Sequence, residues 1–508
     1  MSAAPQPAAP RPLTAAAMSG GLWTGMQVVA NKAVSLVGTL VTMYLLQPEQ
    51  FGIAQVALSI LSYVVVLPAF TLSDVLLSRP AEAERLMGTA LRLCTAVSLP
   101  TMALLAGAGW WAAGHYEQPA LVGACLVVAM RPLADLALLV PQTRLRARLE
   151  FKRMAQVDAV TQTLATAATI AMAALGGGYV SLLLPQIVFT GVRALLYARG
   201  AAAPEGVDAP RWIPAEWKGL LKGYWLSGLG QYTHGALVMA PPLVIAQFAD
   251  EKHVGWYSSA FSLSASVNTV VAVSIGLVLQ PIFAQMAGDR QRQGGAFLRA
   301  CSAIAAVSMP LCLCQAALLG PAFRCFLPAK WEGAILLGQM LSAGQALYFS
   351  VNPAMGLLKA QGRFGAFLAW QTGQLVLVVA AMWAAGSYAG EQATAWIVGV
   401  YAFYHVVSSP VGVWLCVRGT HHIGRSLAAI FIVPMVAALL AVAPAFALMN
   451  FVLPAGRLTD LAGMVVVPLA ALATYPWLLR HLAPQTHAEC MTMLRAVRAK
   501  LTRGGAAA

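Results

Sequence analysis

The chain runs to 508 residues, 59% of them hydrophobic and only 10% charged, with a mean hydropathy of +0.72. A water-soluble domain carries about 25% charged residues, so a soluble globular protein is excluded and lipid is the solvent that suits this surface. The net charge of +14 comes from 32 Lys and Arg dispersed in small clusters between apolar stretches, with no basic stripe or interleaved aromatic platform, which argues against nucleic acid.

Residues 1–19 are rich in Ala and Pro and carry a single Arg. They lack a basic stretch followed by a short apolar core, so they read as a disordered cytoplasmic tail rather than a cleaved signal peptide. Behind them a bilayer core of ~30 Å asks for about 20 mostly apolar residues per helix. Apolar segments of that kind fall near 22–46, 52–73, 87–112, 119–141, 157–175, 179–198, 224–248, 256–280, 297–320, 333–357, 365–386, 393–417, 427–450 and 461–480. Fourteen helices are expected, making an all-α integral membrane protein. Pro241-Pro242 is expected to break the seventh, and Asn352-Pro353 to kink the tenth.

Charge fixes the orientation. With both termini cytoplasmic, only Lys252, Arg324, Lys330 and Arg457 fall in outside loops. Lys32 and Arg131 lie inside helices, and every other Lys and Arg falls on the inside. The bias alternates at each loop, and one missed or invented helix would scramble it. The longest loop, cytoplasmic and containing Pro204, Pro210 and Pro214, divides the chain. The expected organisation is a tail (1–19), an N-lobe of helices 1–6 (20–200), a linker (201–221), a C-lobe of helices 7–12 (222–418), helices 13–14 (419–482) and a basic cytoplasmic tail (483–508).

The two six-helix groups begin alike. Gly21-Leu-Trp23 opens the first helix and Gly223-Tyr-Trp225 the seventh. Each is followed by a short acidic turn and a glycine, Gln47-Pro-Glu49-Gln-Phe51-Gly52 against Ala249-Asp-Glu251-Lys-His-Val254-Gly255. An offset of 202 aligns the Trp residues and 203 the glycines. An even number of helices per copy gives both the same orientation, so a pseudo-two-fold along the membrane normal should relate two lobes around a midplane cavity.

Ionisable groups at mid-bilayer cost ~2.5–3.5 kcal/mol each on insertion scales and usually face a cavity or pair. Lys32, about ten residues into the first helix, aligns with His234 of the seventh at the 202 offset. Two such groups, one per lobe, would suit an anionic ligand; snorkelling or pairing within the lobe is the alternative for Lys32, and a hydrogen-bonded core histidine for His234. Thr24, Gln27, Asn31, Ser35, Gly38 and Thr42 form a polar and small stripe, with Lys32 at its border, and Ser227, Gln231 and His234 repeat the spacing. Such a stripe serves equally as helix–helix glue. Arg131 and Asp135 share a face of the fourth helix and either neutralise each other or act on ligand phosphate and a coupling proton. Asp74 and Asp158 lie near helix ends, where interfacial solvation suffices. The eight cysteines lie mostly in apolar runs, and Cys312-x-Cys314 has no second half; they read as packing residues, and no metal site is expected.

Several stretches together resemble one family. Leu45-Leu-Gln-Pro48-Glu-Gln-Phe51-Gly52 is similar to the L-x-P-x-x-F-G turn of polysaccharide biosynthesis exporters, the Wzx-like oligosaccharide flippases of the MOP superfamily. The basic run from Arg144 to Arg153, the Gly176-Gly-Gly178-Tyr179 turn, Val254-Gly255-Trp256-Tyr257 and Ala360-Gln-Gly362-Arg363 follow in the same order, covering roughly residues 20–420. The resemblance implies a two-lobed exporter working by alternating access. Its cargo would be undecaprenyl-diphosphate-linked oligosaccharide for exopolysaccharide, capsule or O-antigen, carried across a bacterial inner membrane. Lys32, His234, Arg131, Asn31, Gln27 and Gln231 would line the cavity, and Asp135 is the candidate for ion coupling.

No cofactor is expected. The sequence lacks G-x-x-x-x-G-K-[ST], so an H+ or Na+ gradient would supply the energy. Membrane lipids and the polymerase and glycosyltransferases of the same pathway would be its partners. A MATE-like multidrug antiporter and a peptidoglycan-precursor flippase are the neighbouring alternatives. An integral-membrane glycosyltransferase or polymerase is disfavoured by the short, nearly chargeless outside loops.

Overall fold

A computed structural model describes residues 30–65, 69–77, 82–148, 150–201, 213, 216–266, 290–351, 353–360, 363–418, 427–449, 456–488 and 490–491. Within them there is no strand, and each of the fourteen apolar segments overlaps a helix. In chain order these are α1 (30–45), α2 (Pro48–Val64, then Ala69–Leu77), α3 (Ala83–His115), α4 (Ala120–Val128, then Arg131–Ala147), α5 (Phe151–Ala174), α6 (Val180–Ala198) and α7 (Trp217–Val238, then Ala240–Phe248). They continue with α8 (251–266), α9 (Arg290–Phe326), α10 (Gly333–Tyr348, a 3-10 turn Phe349–Val351, then Pro353–Ala360), α11 (Phe364–Tyr388), α12 (Ala393–Val417), α13 (a π-turn Ala428–Ile432 running into Val433–Ala447) and α14 (Arg457–Leu482). Among the described residues nine helices are long and apolar enough to cross a bilayer. Of the others, α1 and α8 adjoin undescribed residues, α2 and α7 are broken, and α5 is only mildly apolar.

Several helices outrun the apolar segments that mark them: α3, α9 and α14 each extend past both ends. Backbone hydrogen bonding continues into the headgroup region, where side chains need no longer be apolar. Trp110, Trp111, Tyr388 and Trp396 stand exposed toward one end and Trp217, Trp414 and Trp477 toward the other, the distribution of an interfacial aromatic belt. The ends are termed inner and outer after the charge assignment.

The break in α7 falls at Met239, immediately before the Pro241-Pro242 expected to cause it. The kink in α10 is a 3-10 turn leading into Pro353; Asn352 lies outside the described residues. The break in α4, between Val128 and Arg131, precedes Pro132 in the first turn of the second piece, as the α7 break precedes Pro241, and was not anticipated from the sequence. Helix α1 ends at 45 and α2 begins at 48, while α7 ends at 248 and α8 begins at 251. Both turns obey the 203 offset, so the one-residue step from 202 falls within α7, where its helix is interrupted.

Helices α1–α6 and α7–α12 make the two lobes, but α7 belongs partly to both. Its inner half buries Leu220 and Tyr224 against Leu72, Leu76, Leu86, Met87 and Cys94 of the N-lobe. The Ile213 amide donates to Thr89 Oγ1 at 2.9 Å, tying the preceding chain to α3. Outside the two lobes, α13 and α14 pack on α9. The Tyr475 hydroxyl donates to the Ala306 carbonyl at 2.8 Å, and Arg324 pairs with Asp460, Nε to Oδ2 3.0 Å, at the outer end. Asp158, which interfacial solvation seemed to explain, is engaged instead: the Tyr197 hydroxyl donates to its Oδ1 at 2.6 Å and Arg193 lies 3.6 Å away. The α5–α6 pairing brings those two partners in from a distant part of the sequence.

Candidate functional site

At the outer end the two lobes meet through the paired turns. A Cβ at position 52 would lie 1.9 Å from the Glu251 carbonyl oxygen, and one at position 255 would lie 1.8 Å from that of Pro48. Residues 48 and 251, like 52 and 255, are related by the 203 offset. The contact is therefore reciprocal, residue i on j and j on i, as a two-fold demands. Ser258 Oγ donates to Gln55 Oε1 at 3.1 Å, and these are again equivalent positions, which can touch only on the axis. Glycine is required at 52 and 255 because backbone meets backbone there and no side chain fits.

Further contacts close the same end. Trp331, fully buried, donates from Nε1 to the Met43 carbonyl at 2.7 Å and packs edge-on to Phe51, centroids 5.1 Å apart. Lys330 Nζ donates to the Leu46 carbonyl at 2.7 Å. Burial holds that ammonium below the usual lysine range, and nearby Glu49 offsets part of the effect. Deeper in, the Tyr63 hydroxyl donates to the Ala236 carbonyl at 2.8 Å and the Tyr232 hydroxyl to the Tyr63 carbonyl at 3.1 Å.

Toward the inner end, a small cavity of about 100 Å³ lies among α7, α10, α11 and α12. Its polar lining includes His234, Gln371, Gln374, Tyr404 and, at the inner mouth, Arg363, with Trp370 as an aromatic wall. No carboxylate lines it among the described residues. Gln371 Nε2 lies 3.4 Å from His234 Nδ1, so His234 faces its own lobe's cavity. On the opposite sides of α10 and α12, a groove of about 710 Å³ is walled by Leu347, Phe403, Phe431 and Met435 and is almost wholly apolar. Helix α13 forms one of its walls.

The other expected cavity residues are not gathered around His234. Lys32 and Asn31 are half-buried on α1, and Lys32 makes no ion pair among the described residues. Lower on α1, Gly38 packs against Thr166 of α5, and Thr42 bonds back to the Gly38 carbonyl at 2.9 Å; this part of the stripe joins helices. Arg131 and Asp135 form a salt bridge, Nε to Oδ1 3.1 Å and to Oδ2 3.2 Å, with each side chain about one-third exposed. Gln27 and the side chain of Gln231 lie outside the described residues. Arg363, Gln371, Gln374 and Tyr404 were not anticipated. Arg363 carried a legible signal, as a cation just inside a helix boundary, whereas glutamines in apolar runs resemble helix–helix glue.

The family of polysaccharide biosynthesis proteins matches residues 43–336, more than half of the chain. The chain belongs to this family. Over 360 residues it is 25% identical to the succinoglycan biosynthesis transport protein ExoT of Rhizobium meliloti (strain 1021), covering 68% of this chain and 70% of that one. Among solved structures, the lipid II flippase MurJ in an inward closed conformation superposes with a TM-score of 0.72 at 11% identity, covering 91% of this chain and 99% of that one. A multidrug-resistance MATE family transporter of the MOP superfamily, inward-facing, gives 0.54 at 13% identity over 82% and 98%. At such identities the structures speak for the fold alone: a two-lobed, all-α membrane protein.

Proposed function

We propose that this chain is a transporter, not an enzyme, that moves undecaprenyl-diphosphate-linked oligosaccharide from the cytoplasmic to the periplasmic leaflet of a bacterial inner membrane by alternating access. Both termini then face the cytoplasm. The observation that carries the reading is the pairing of a reciprocally sealed outer end with a polar cavity reaching the inner end, the arrangement of a transporter awaiting cargo from the cytoplasm.

The chemistry of the cavity suits the cargo. Arg363 can hold a diphosphate oxygen with charge-assisted hydrogen bonds, and no carboxylate opposes it. Gln371 and Gln374 supply donors and acceptors for hydroxyls, and the Trp370 ring offers an apolar face to a sugar. The apolar groove on the far side of α10 and α12 suits a polyprenyl chain, which gives α13 a role beyond completing the fold. Glycosyltransferases of the same pathway would supply the glycan and a polymerase would consume it. The multidrug alternative asks for a buried N-lobe carboxylate; Asp135 is neither deeply buried nor unpaired.

Deletion of the gene tests the reading. Surface polysaccharide should be lost while its lipid-linked precursor accumulates on the cytoplasmic face. Wild type should restore export, and well-expressed Lys32→Ala should fail to. Normal export together with new sensitivity to cationic drugs would favour the multidrug reading.

A further inference from the structure

His405 sits near the middle of α12 and is 3% exposed. Neither ring nitrogen has a hydrogen-bond partner among the described residues. Instead the imidazole is boxed by three tyrosines, Tyr348 from α10 and Tyr401 and Tyr404 from its own helix, with ring centroids at 4.4, 4.6 and 5.1 Å. Tyr348 and Tyr404 also line the inner cavity, as does His234, so His405 stands one layer behind the cavity wall. A buried polar group without partners is rare and asks for an explanation, and an ionisable group at mid-membrane is by default a functional one.

We propose that His405 is the binding site for a proton whose movement inward drives transport, with His234 as the relay between it and the cavity. The inference rests on the alternating-access reading above. The groups facing His405 fit a proton rather than a metal cation. They are the rings of Tyr348 from α10 and of Tyr401 and Tyr404 from α12, with His234 of α7 beyond them; Tyr257 of α8 and Tyr63 of α2 lie near Tyr401, and His234 and Arg363 line the cavity that Tyr348 and Tyr404 also line. The carboxylates of this half of the chain, Asp250, Glu251, Asp289, Glu332 and Glu391, all fall outside its apolar segments. Within the spans of this lobe, imidazole is the group that titrates in the physiological range.

One proton from water on the outer side adds to the lone pair of a ring nitrogen, giving imidazolium. It leaves to water at the inner end through the cavity, and no other bond changes. Tyrosine rings within ~6 Å offer cation–π support to the charged ring in transit. With the outer end sealed, however, imidazolium would carry two N–H donors and no acceptor. Protonation therefore favours the arrangement in which the outer end opens, and proton loss favours the sealed one described here. That sign makes the cycle an exchange of inward protons for outward cargo.

The full chain in lipid nanodiscs, without any saccharide, carries the test. With the native cysteines replaced, spin labels at Glu117→Cys and Glu391→Cys report on exposed outer turns of the two lobes. Moving from pH 8 to pH 5.5 should add a longer-distance population in wild type. His405→Gln should abolish that response, and His481→Gln, at an exposed histidine of α14, should retain it. A chain that ignores pH, a His405→Gln variant that still responds, or a His481→Gln variant that does not, would each overturn the proposal. Should His405→Gln fail to fold, ¹⁵N shifts of labelled histidine in the wild-type chain decide. One of the eight histidines should titrate with the midpoint of the opening, and none doing so overturns it. Because no glycan is present, failure to move lipid-linked saccharide leaves this readout untouched.

Discussion

Arg131 and Asp135 lie four residues apart on one helical face, and the structure closes them into a salt bridge. An unpaired charge in a membrane helix costs ~2.5–3.5 kcal/mol on insertion scales, a penalty that partial exposure of this pair reduces. Asp135→Asn should therefore lower the yield of folded, monodisperse protein several-fold, and adding Arg131→Gln should restore it, as read by size-exclusion of a fluorescent fusion. Lys32, unlike Arg131, has no ion-pair partner among the described residues, and so remains the stronger candidate for contact with cargo. His405 shows the limit of reading at this scale. Its depth in the twelfth apolar segment was visible in the sequence, but its lack of partners arises from the packing of α10 against α12.

At the scale of elements, the fourteen helices were legible because lipid demands an unbroken apolar run for each crossing. Their ends were not, since helices continue where apolarity is no longer required. The repeat was legible at its turns, and the structure converts that likeness into the reciprocal contact of Gly52 with Glu251 and Gly255 with Pro48. No sequence pattern announced that the two turns touch. Any side chain at either glycine must drive the backbones apart. Gly52→Val or Gly255→Val should hold the outer end open, raising the labelling of a cysteine placed at Gln55 by a membrane-impermeant maleimide at least several-fold over the glycine parent. Gly365, with open space around it, provides the control: Gly365→Ala should leave labelling unchanged.

For the whole molecule, two lobes meet at one end around a two-fold axis, and the proposed cycle would open that end by rocking them about an axis in the membrane plane. The α7 helix, interrupted at Met239 and anchored at its inner end to the N-lobe, is placed to bend as they rock. Under the proposed function, the cavity and the apolar groove on opposite sides of α10 and α12 would take the two halves of a lipid-linked glycan. Transbilayer movement can be measured directly in proteoliposomes holding a short diphosphate-linked glycan lipid, by the fraction of glycan that a membrane-impermeant glycosidase can reach over time. With purified protein, cleavage should pass the half that marks the outer leaflet and run toward completion, whereas Gly52→Val should stop near half. Cleavage that halts at half with the wild-type chain would contradict the account.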